Sequence, residues 1–361
     1  MYNIPTLPLK QDVETKNVLK KVAAARAALA ELKGVHTSLP NISILLNTLA
    51  LQEAKNSSAI ENIITTHDEL YRAELNMNLV KSIAAKEVQR YAHALKDGYE
   101  IVKKEKLITN ATILAIHRIL EQSDAGYRSV PGTKLKNDRT QEIIYIPPQS
   151  ALDIKNYMHN LVQYMNDDEQ SDEDHLIKMA VIHHQFESIH PFYDGNGRLG
   201  RILNILYLIA KDLIDFPSLY LSRYIIQHKA EYYRLLQQVR DTNQWEDWIL
   251  FMLDGTVTIS KQSTDLIKEI KKQMQEAKNI IRTQCPKIYS QDLINNLFKH
   301  PYTKIEFLQE DLGVTRQTAS KYLEAIMVAT PSFLVKVKIG KDNFYINQAL
   351  MQLFINYDYS V

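Results

Sequence analysis

Apolar residues recur every third or fourth position through most of this chain, which is the period of an amphipathic helix and not of a strand. Over 12–32, Val18, Leu19, Val22, Ala25, Leu29 and Leu32 fall on one face with Lys and Glu elsewhere, predicting a first helix packed on its own domain. Gly34 and Pro40 punctuate the chain after it, and the pattern resumes over 42–54 and 58–75. Further helices are predicted over 86–102, 110–120 and 152–165, followed by two strongly apolar ones at 176–189 and 202–213. Residues 259–281 intersperse Lys and Glu on a helical period and read as a connector. There is no internal repeat.

Two places break the helical period. Thr133-Lys134-Leu135-Lys136 and Glu142-Ile143-Ile144-Tyr145-Ile146 flank the turn-rich Asn137-Asp138-Arg139-Thr140, and Pro147-Pro148 ends the second run, so this stretch reads as a hairpin. Beyond 285, short helices over 290–299 and 304–312 lead through Leu312-Gly313-Val314 into a helix over 316–327 with Thr315 as its N-cap. Two strand-like runs, 333–338 and 343–346, follow, split by Gly340-Lys341-Asp342. That order is the order of a winged helix-turn-helix unit. The predicted fold is mainly α: an N-terminal helical region (1–105), a helical core with a β-hairpin flap (106–258), a connector (259–284) and a winged-helix domain (285–361).

The two most apolar helices bracket a polar loop, His190-Pro191-Phe192-Tyr193-Asp194-Gly195-Asn196-Gly197-Arg198-Leu199-Gly200-Arg201. Gly195 and Gly197 let the backbone turn and bring its N–H groups close to a ligand, and a helix beginning near Arg198 adds unpaired N–H groups and a positive dipole end. Asn196 tolerates a left-handed conformation and can donate from its side chain into the same pocket. Arg198 and Arg201 share a helix face and reach successive phosphates of one chain. Asp194 suits magnesium bound mainly by phosphate oxygens and water. His190, the loop residue that titrates near neutrality, is the natural general base, and Phe192 turns inward to fix the loop. A rival set, His183, Glu187 and His190, shares a helical face and could ligate zinc or iron, but its spacing is not that of His-Glu-x-x-His.

Composition narrows the surroundings. The 361 residues carry 43 Lys and Arg against 42 Asp and Glu, so no global charge attracts nucleic acid or an anionic membrane. One cysteine, Cys285, excludes an intramolecular disulfide framework and agrees with a reducing compartment. The start of the chain has no basic-then-apolar secretion signal and the apolar runs are too short to span a bilayer, so a cytoplasmic protein is expected. In 285–361 eight Lys or Arg face seven Asp or Glu, a poor footprint for a duplex. A DNA reading of the 316–327 helix, with Arg316, Gln317, Ser320 and Lys321 exposed, therefore competes with a protein-docking module.

The 190–201 loop resembles the core motif of the Fic family: His, a free position, Phe, a free position, Asp or Glu, Gly-Asn-Gly-Arg, two free positions, Arg. Every fixed position is filled. The resemblance implies transfer of AMP from ATP to a Tyr, Ser or Thr hydroxyl of a target protein or of the chain itself. His190 would be the base, Asp194 the Mg2+ ligand, and Gly195, Asn196, Gly197, Arg198, Leu199, Gly200 and Arg201 the phosphate cradle. The 133–148 hairpin matches the family's flap, which holds a target segment by strand addition. Glu231-Tyr232-Tyr233 is similar to a stretch whose tyrosines line the adenine side, although two tyrosines on a helix are as readily core.

Ser57-Ser58-Ala59-Ile60-Glu61-Asn62 fits a second family pattern, Ser or Thr, three free positions, Glu, then Gly or Asn, which marks an inhibitory helix. It implies that Glu61, with Ser57 and Asn62 in the motif, pairs with Arg201 and blocks the γ-phosphate. Taken alone, Ser58-Ala59-Ile60-Glu61 is equally a helix capping box. Two other readings stay open: a DNA-binding regulator whose pocket only senses nucleotide, and a Fic enzyme that removes AMP or moves another phosphate-bearing group. The resemblance also suggests a homodimer.

Overall fold

The computed structural model describes residues 2–36, 43–66, 69–70, 82–137, 140–299, 301–339 and 342–359. Their contacts group into two compact units, one from the described residues of Met1–Lys33, Leu49–Thr65 and Ser82–Lys261, the other from those of Gly34–Thr48, Thr66–Lys81 and Gln262–Val361. The chain is mainly α, as its periodicity predicts.

Helix α1 (Lys16–His36) begins later than its apolar pattern, because the Asp12 carboxylate accepts the Glu14 N–H in a local turn while Thr15 accepts the Val18 N–H and caps the helix. It runs through Gly34, which therefore does not end it, and Leu19 stays exposed while Val18, Val22, Ala25, Leu29 and Leu32 are buried. Pro40 lies outside the described residues. The helix expected over 42–54 is α2 (Ser43–Ile60), which runs on to Ile60; the chain leaves it through a turn at Glu61-Asn62, and of the second expected helix residues 69 and 70 are helical. Residues 67, 68 and 71–75 lie outside the described residues.

Next come α3 (Ile83–Glu105), α4 (Asn110–Glu121), the strands β1 (Leu135–Lys136) and β2 (Ile143–Tyr145), and α5 (Ala151–Asn166). Helices α6 (His175–Ile189) and α7 (Asn196–Ala210) pack on each other and are buried on almost every face, which is why their sequences are apolar all round. Helix α3 packs on α4 and α7, and α5 on α6. The N-terminal segment is tied on by reciprocal bonds between Leu7 and Asn160 (2.8 and 2.9 Å) and by Gln185 donating to the Pro5 carbonyl at 2.7 Å. After α8 (Leu221–Gln227) and α9 (Lys229–Thr242), α10 (Glu246–Gln284) starts well before the predicted connector, and Trp248 near its start donates to the Ala180 carbonyl at 2.8 Å.

In the second unit α11 (Gln291–Lys299), β3 (Tyr302–Thr303), α12 (Ile305–Leu312) and α13 (Arg316–Ala329) precede β4 (Leu334–Ile339), β5 (Asp342–Asn347) and α14 (Gln348–Tyr359). The antiparallel sheet has the order β3-β5-β4, with Leu334 opposite Asn347 and Tyr302 opposite Ile346. Gly313, at φ 64°, closes α12, and Thr315 accepts the Thr318 N–H at 3.3 Å as the N-cap of α13. β3 and α14 were not foreseen. Residues 340 and 341 of the strand-to-strand turn lie outside the described residues. On α13, Arg316 is paired with Glu306, and Ser320, expected to be exposed, is half-buried and donates to Glu324.

Candidate active site

His190 ends α6 with φ 48° and ψ 60°, a left-handed conformation rare outside glycine, its N–H bonded to the Phe186 carbonyl at 2.9 Å. The chain returns through Gly195, at φ 75°, and α7 starts at Asn196. Both points correct the sequence reading: the left-handed turn falls on Gly195 and not Asn196, and the helix begins before Arg198. The Asn196 side chain does not face an open pocket. It donates to the Phe192 carbonyl and accepts the Phe192 N–H, both at 2.9 Å, stapling the loop to its own first residues. Phe192 is buried as expected and stacks on His117 with ring centroids 3.7 Å apart.

Arg128 clamps the loop from outside. Its guanidinium donates to the carbonyls of His190 (2.7 Å) and Ile189 (3.3 Å), and its own N–H to Pro191 (2.8 Å). On the other side the Tyr193 hydroxyl accepts the N–H groups of Ser129 and Val130 at 3.0 and 3.1 Å. Burial, together with the Arg240 and Arg128 cations, pushes the His190 imidazole down to about 3, against a hydrogen bond to the Glu187 backbone, so it is neutral at ordinary pH. A neutral imidazole can take a proton. Arg240 is itself held by Ser188 Oγ (3.1 Å) and the Glu187 carbonyl (3.3 Å), 4.0 Å over the Tyr145 ring.

The anion-binding features converge on the start of α7. Gly195 as N-cap offers no side chain to the leading N–H groups. Asp194 is exposed, with Oδ1 accepting the Gly195 N–H at 2.7 Å. Arg198 and Arg201 share a face of α7, as their spacing requires, yet each is already paired. Arg198, 4% exposed, donates to Glu87 (3.2 Å) and Glu121 (2.9 Å). Arg201, 2% exposed, donates to Ser57 Oγ (2.8 Å), the Ser57 carbonyl (3.0 Å) and Glu61 Oε1 (2.8 Å). Burial works against the Arg201 charge, but Glu61, Tyr232, Tyr91 and Glu187 hold its pKa above the usual arginine value. Gly197 makes room for this pair: a Cβ there would lie 2.3 Å from Glu61 Oε1. Gly200, next to Leu199 on the buried side of α7, packs against Glu187 and Phe186.

The end of α2 excludes the capping-box reading. Ser58 lies in the last turn of the helix, not at its N-cap; its carbonyl accepts the Ile63 N–H, and the Ala59 carbonyl accepts the Asn62 N–H, both at 3.0 Å. Asn62 sits at φ 62°, the left-handed residue of a Schellman ending, and its side chain accepts from Lys229 at 3.1 Å. A residue tolerating positive φ is needed at this place, which gives a physical reason for Gly or Asn after the glutamate. The turn aims Glu61 at Arg201.

Tyr232 is buried, its hydroxyl 2.8 Å from His183 Nε2, and Tyr233 beside it is exposed. His183 also contacts Asn204 through Nδ1 at 3.1 Å, so both its ring nitrogens are engaged. Among the described residues no group of three or more His, Cys, Asp or Glu could hold a metal, which removes the His183–Glu187–His190 reading. The hairpin forms as expected, with Leu135 opposite Tyr145 and Ile143 and Ile144 exposed; residues 138 and 139 of its turn lie outside the described residues. Tyr145 donates to the Ser188 carbonyl at 2.8 Å, tethering the flap close to His190.

Arg128, Arg240, Glu87 and Glu121 were missed as site residues. Arg240 carried a signal, a cation four positions after buried Leu236 on the apolar face of α9; the acidic residues look like ordinary solvated positions.

This loop, with a neutral histidine at one end and two buried arginines at the other, carries every fixed residue of the Fic core motif. Residues 107–208 match the Fic/DOC family model, 19–100 the Fic/DOC family N-terminal model, and 273–350 the C-terminal domain of SoFic-like protein adenylyltransferases. The chain belongs to the Fic/DOC family. It is 29% identical over 186 residues to a probable protein adenylyltransferase of Aquifex aeolicus, covering 50% of this chain and 54% of that protein. It is 30% identical over 159 residues to the protein adenylyltransferase Fic of Aedes aegypti, covering 43% of this chain and 29% of that protein. The chain thus spans about half or less of the length of these relatives. Among solved structures, a Fic family protein from Desulfovibrio desulfuricans superposes with a TM-score of 0.58 at 19% identity, covering 95% of this chain and 98% of the other. Fic-1 of Caenorhabditis elegans gives 0.54 at 20%, covering 69% and 74%. At such identities the likeness concerns the fold. No described helix is long and apolar enough to cross a membrane.

Proposed function

We propose that the chain transfers AMP from ATP to a side-chain hydroxyl of a protein, its own or a target's, releasing pyrophosphate, and that Glu61 holds it in an inhibited resting state. The observation that carries this reading is the neutral, half-buried imidazole of His190 pinned on the same loop as the uncapped start of α7. His190 takes the proton of the incoming hydroxyl as its oxygen bonds to the α-phosphorus; the bond from that phosphorus to the bridging oxygen of the β-phosphate breaks, and pyrophosphate leaves. Positioning and electrostatics are most of what such a transfer requires.

The leading N–H groups of α7 hold phosphate, and Arg198, held by Glu87 and Glu121, and Arg201, once Glu61 yields, orient the outer phosphates. Asp194 suits Mg2+, because one exposed carboxylate leaves the other positions to phosphate oxygens and water, as that ion prefers. When bound, the ion neutralises charge on the phosphates. The exposed Ile143 and Ile144 make the 133–148 flap a place for an extended target segment to add as a strand. Tyr232 and Tyr233 border the nucleotide on the adenine side. The near-neutral 285–361 segment, whose Arg316 is paired with Glu306, fits protein docking better than duplex binding.

The test is incubation with ATP labelled on the α-phosphate, with mass spectrometry for added AMP. Labelling should be weak in the native chain, strong in Glu61→Gly and absent in His190→Ala. A Glu61→Gly chain no more active than the native one at every ATP concentration would end the inhibition reading, and labelling that survives His190→Ala would end the reaction itself.

A further inference from the structure

Helix α2 carries a second carboxylate on the face that meets Arg201. Glu53, Ser57 and Glu61 follow one another at intervals of four residues, so they form one row along the helix and the turn that ends it. Glu53 is fully buried. Its Oε1 accepts two hydroxyl protons, from Tyr91 of α3 at 3.0 Å and from Ser222 of α8, while Oε2 is buried without a partner. The Tyr91 hydroxyl also feels the Ser57 hydroxyl beside it, which accepts from Arg201. One continuous chain of polar contacts therefore runs from Ser222 through Glu53, Tyr91 and Ser57 to Arg201.

A carboxyl group in such a place is costly to bury, and apolar packing would be the cheaper way to attach a helix. What two directed hydrogen bonds supply, and apolar packing does not, is a fixed rotation and height. Leu49, Ala50, Leu51 and Ala54 bury α2 but could slide or turn, and a small rotation would carry Glu61 off the guanidinium.

We infer that Glu53 is a positioning residue for the inhibitory helix: by fixing α2 on Tyr91 and Ser222 it places Ser57 and Glu61 on Arg201. This rests on the proposed inhibition by Glu61. Losing Glu53 frees the helix without touching nucleotide, so its effect passes wholly through the Glu61–Arg201 pair.

The experiment measures self-modification and ATP KM for the full-length native chain, Glu61→Gly, Glu53→Ala, Glu53→Gln and the Glu53→Ala/Glu61→Gly double variant. Glu53→Ala should raise activity about ten-fold, the scale of losing hydrogen bonds to a charged group, and lower ATP KM. Glu53→Gln keeps the Oε1 acceptor and should stay within about two-fold of the native chain. In the Glu61→Gly background Glu53→Ala should add nothing, whereas damage to the fold would lower activity there. If Glu53→Ala is poorly folded, Tyr91→Phe and Ser222→Ala remove the two donors singly, and each should give part of the release. An active Glu61→Gly beside a silent Glu53→Ala, with silent Tyr91 and Ser222 variants, overturns this inference and leaves the inhibition reading standing. A silent Glu61→Gly overturns the inhibition reading itself.

Discussion

Arg198 and Arg201 lie on one face of one helix, both almost buried and both paired with glutamate, yet the two pairs are built differently. The partners of Arg198, Glu87 and Glu121, stand on α3 and α4, which pack around the core helices, and their side chains are 26% and 15% exposed. The partner of Arg201 stands on the turn that ends α2, with a side chain 35% exposed. Glu121, although the last residue of α4, is the least exposed of the three and shares Arg198 with Glu87 from within α3, so that pair belongs to the scaffold; Glu61, in the turn beyond α2, can leave without unfolding either helix. The difference assigns Arg198 a held position and Arg201 a removable one.

The largest expected effect removes the base at the other end of the loop. His190→Ala, made in the Glu61→Gly background, should reduce AMP incorporation by about 1000-fold, the scale of a lost general base. Because burial already holds His190 neutral, the Glu61→Gly enzyme should show no acid limb near pH 6.5 in its pH–rate profile. A limb there would mean that the imidazole titrates as a solvated histidine.

The comparison breaks most directly through the glutamates themselves. Glu61→Gly should raise activity by about 100-fold if the blocked form is populated near 99%. Glu121→Gln should do the opposite, lowering activity and costing about 3 kcal/mol in denaturant unfolding, because it leaves a buried guanidinium short of a charge partner. If both substitutions activated the enzyme, the two arginines would be equivalent and the distinction would fall.

The neighbouring glycines sharpen it. At Gly195 a Cβ would meet the Glu121 carboxylate at 2.2 Å from a backbone with φ 75°, whereas at Gly197 it would meet only the end of Glu61 at 2.3 Å and Arg201 Nη1 at 3.1 Å. Gly195→Ala should therefore cost about 2 kcal/mol or more and Gly197→Ala less, measured by thermal unfolding. Equal losses would show Glu61 to be as firmly seated as Glu121.

How much of this was legible in the sequence depends on the range of the interaction. Helices α4, α5 and α6 announced themselves through periodicity, and the loop through its residue types, because both depend on neighbours in the chain. The Glu61–Arg201 pair was reached only through a family resemblance, since no local rule joins residues so far apart. The Gly-Asn-Gly string does not say which residue takes the left-handed turn; Gly195 takes it, and the Phe192 backbone engages the Asn196 amide, which the sequence reading aims into the pocket. Glu121 and Glu53 read as polar positions on helices. Their burial is a consequence of tertiary packing alone.

The smallest effect concerns pH and belongs to the Arg201 side. Burial raises both Glu53 and Glu187 to about 7, against the Arg201 charge that favours their ionised forms. A carboxyl whose pKa is higher folded than unfolded stabilises fully below its unfolded value near 4.5, and the contribution is lost as pH rises through 7. For one such group the loss between pH 6 and 8 is about 1 kcal/mol. His190 and His183, lowered to about 3, and His184, held well below its usual value by burial, act in the opposite sense: their contribution is present above 6.5 and is lost as pH falls toward 3, so each regains about 1 kcal/mol between pH 6 and 8. The two sets nearly offset, and the native chain should keep its Tm between pH 6 and 8 within a few degrees. Glu187→Gln removes one falling contribution and should make Tm rise over that interval relative to the native chain, since the histidines still titrate. A Glu187→Gln chain with the native slope would mean that Glu187 is ionised throughout, and that Arg201 is balanced by two carboxylates once Glu61 is counted.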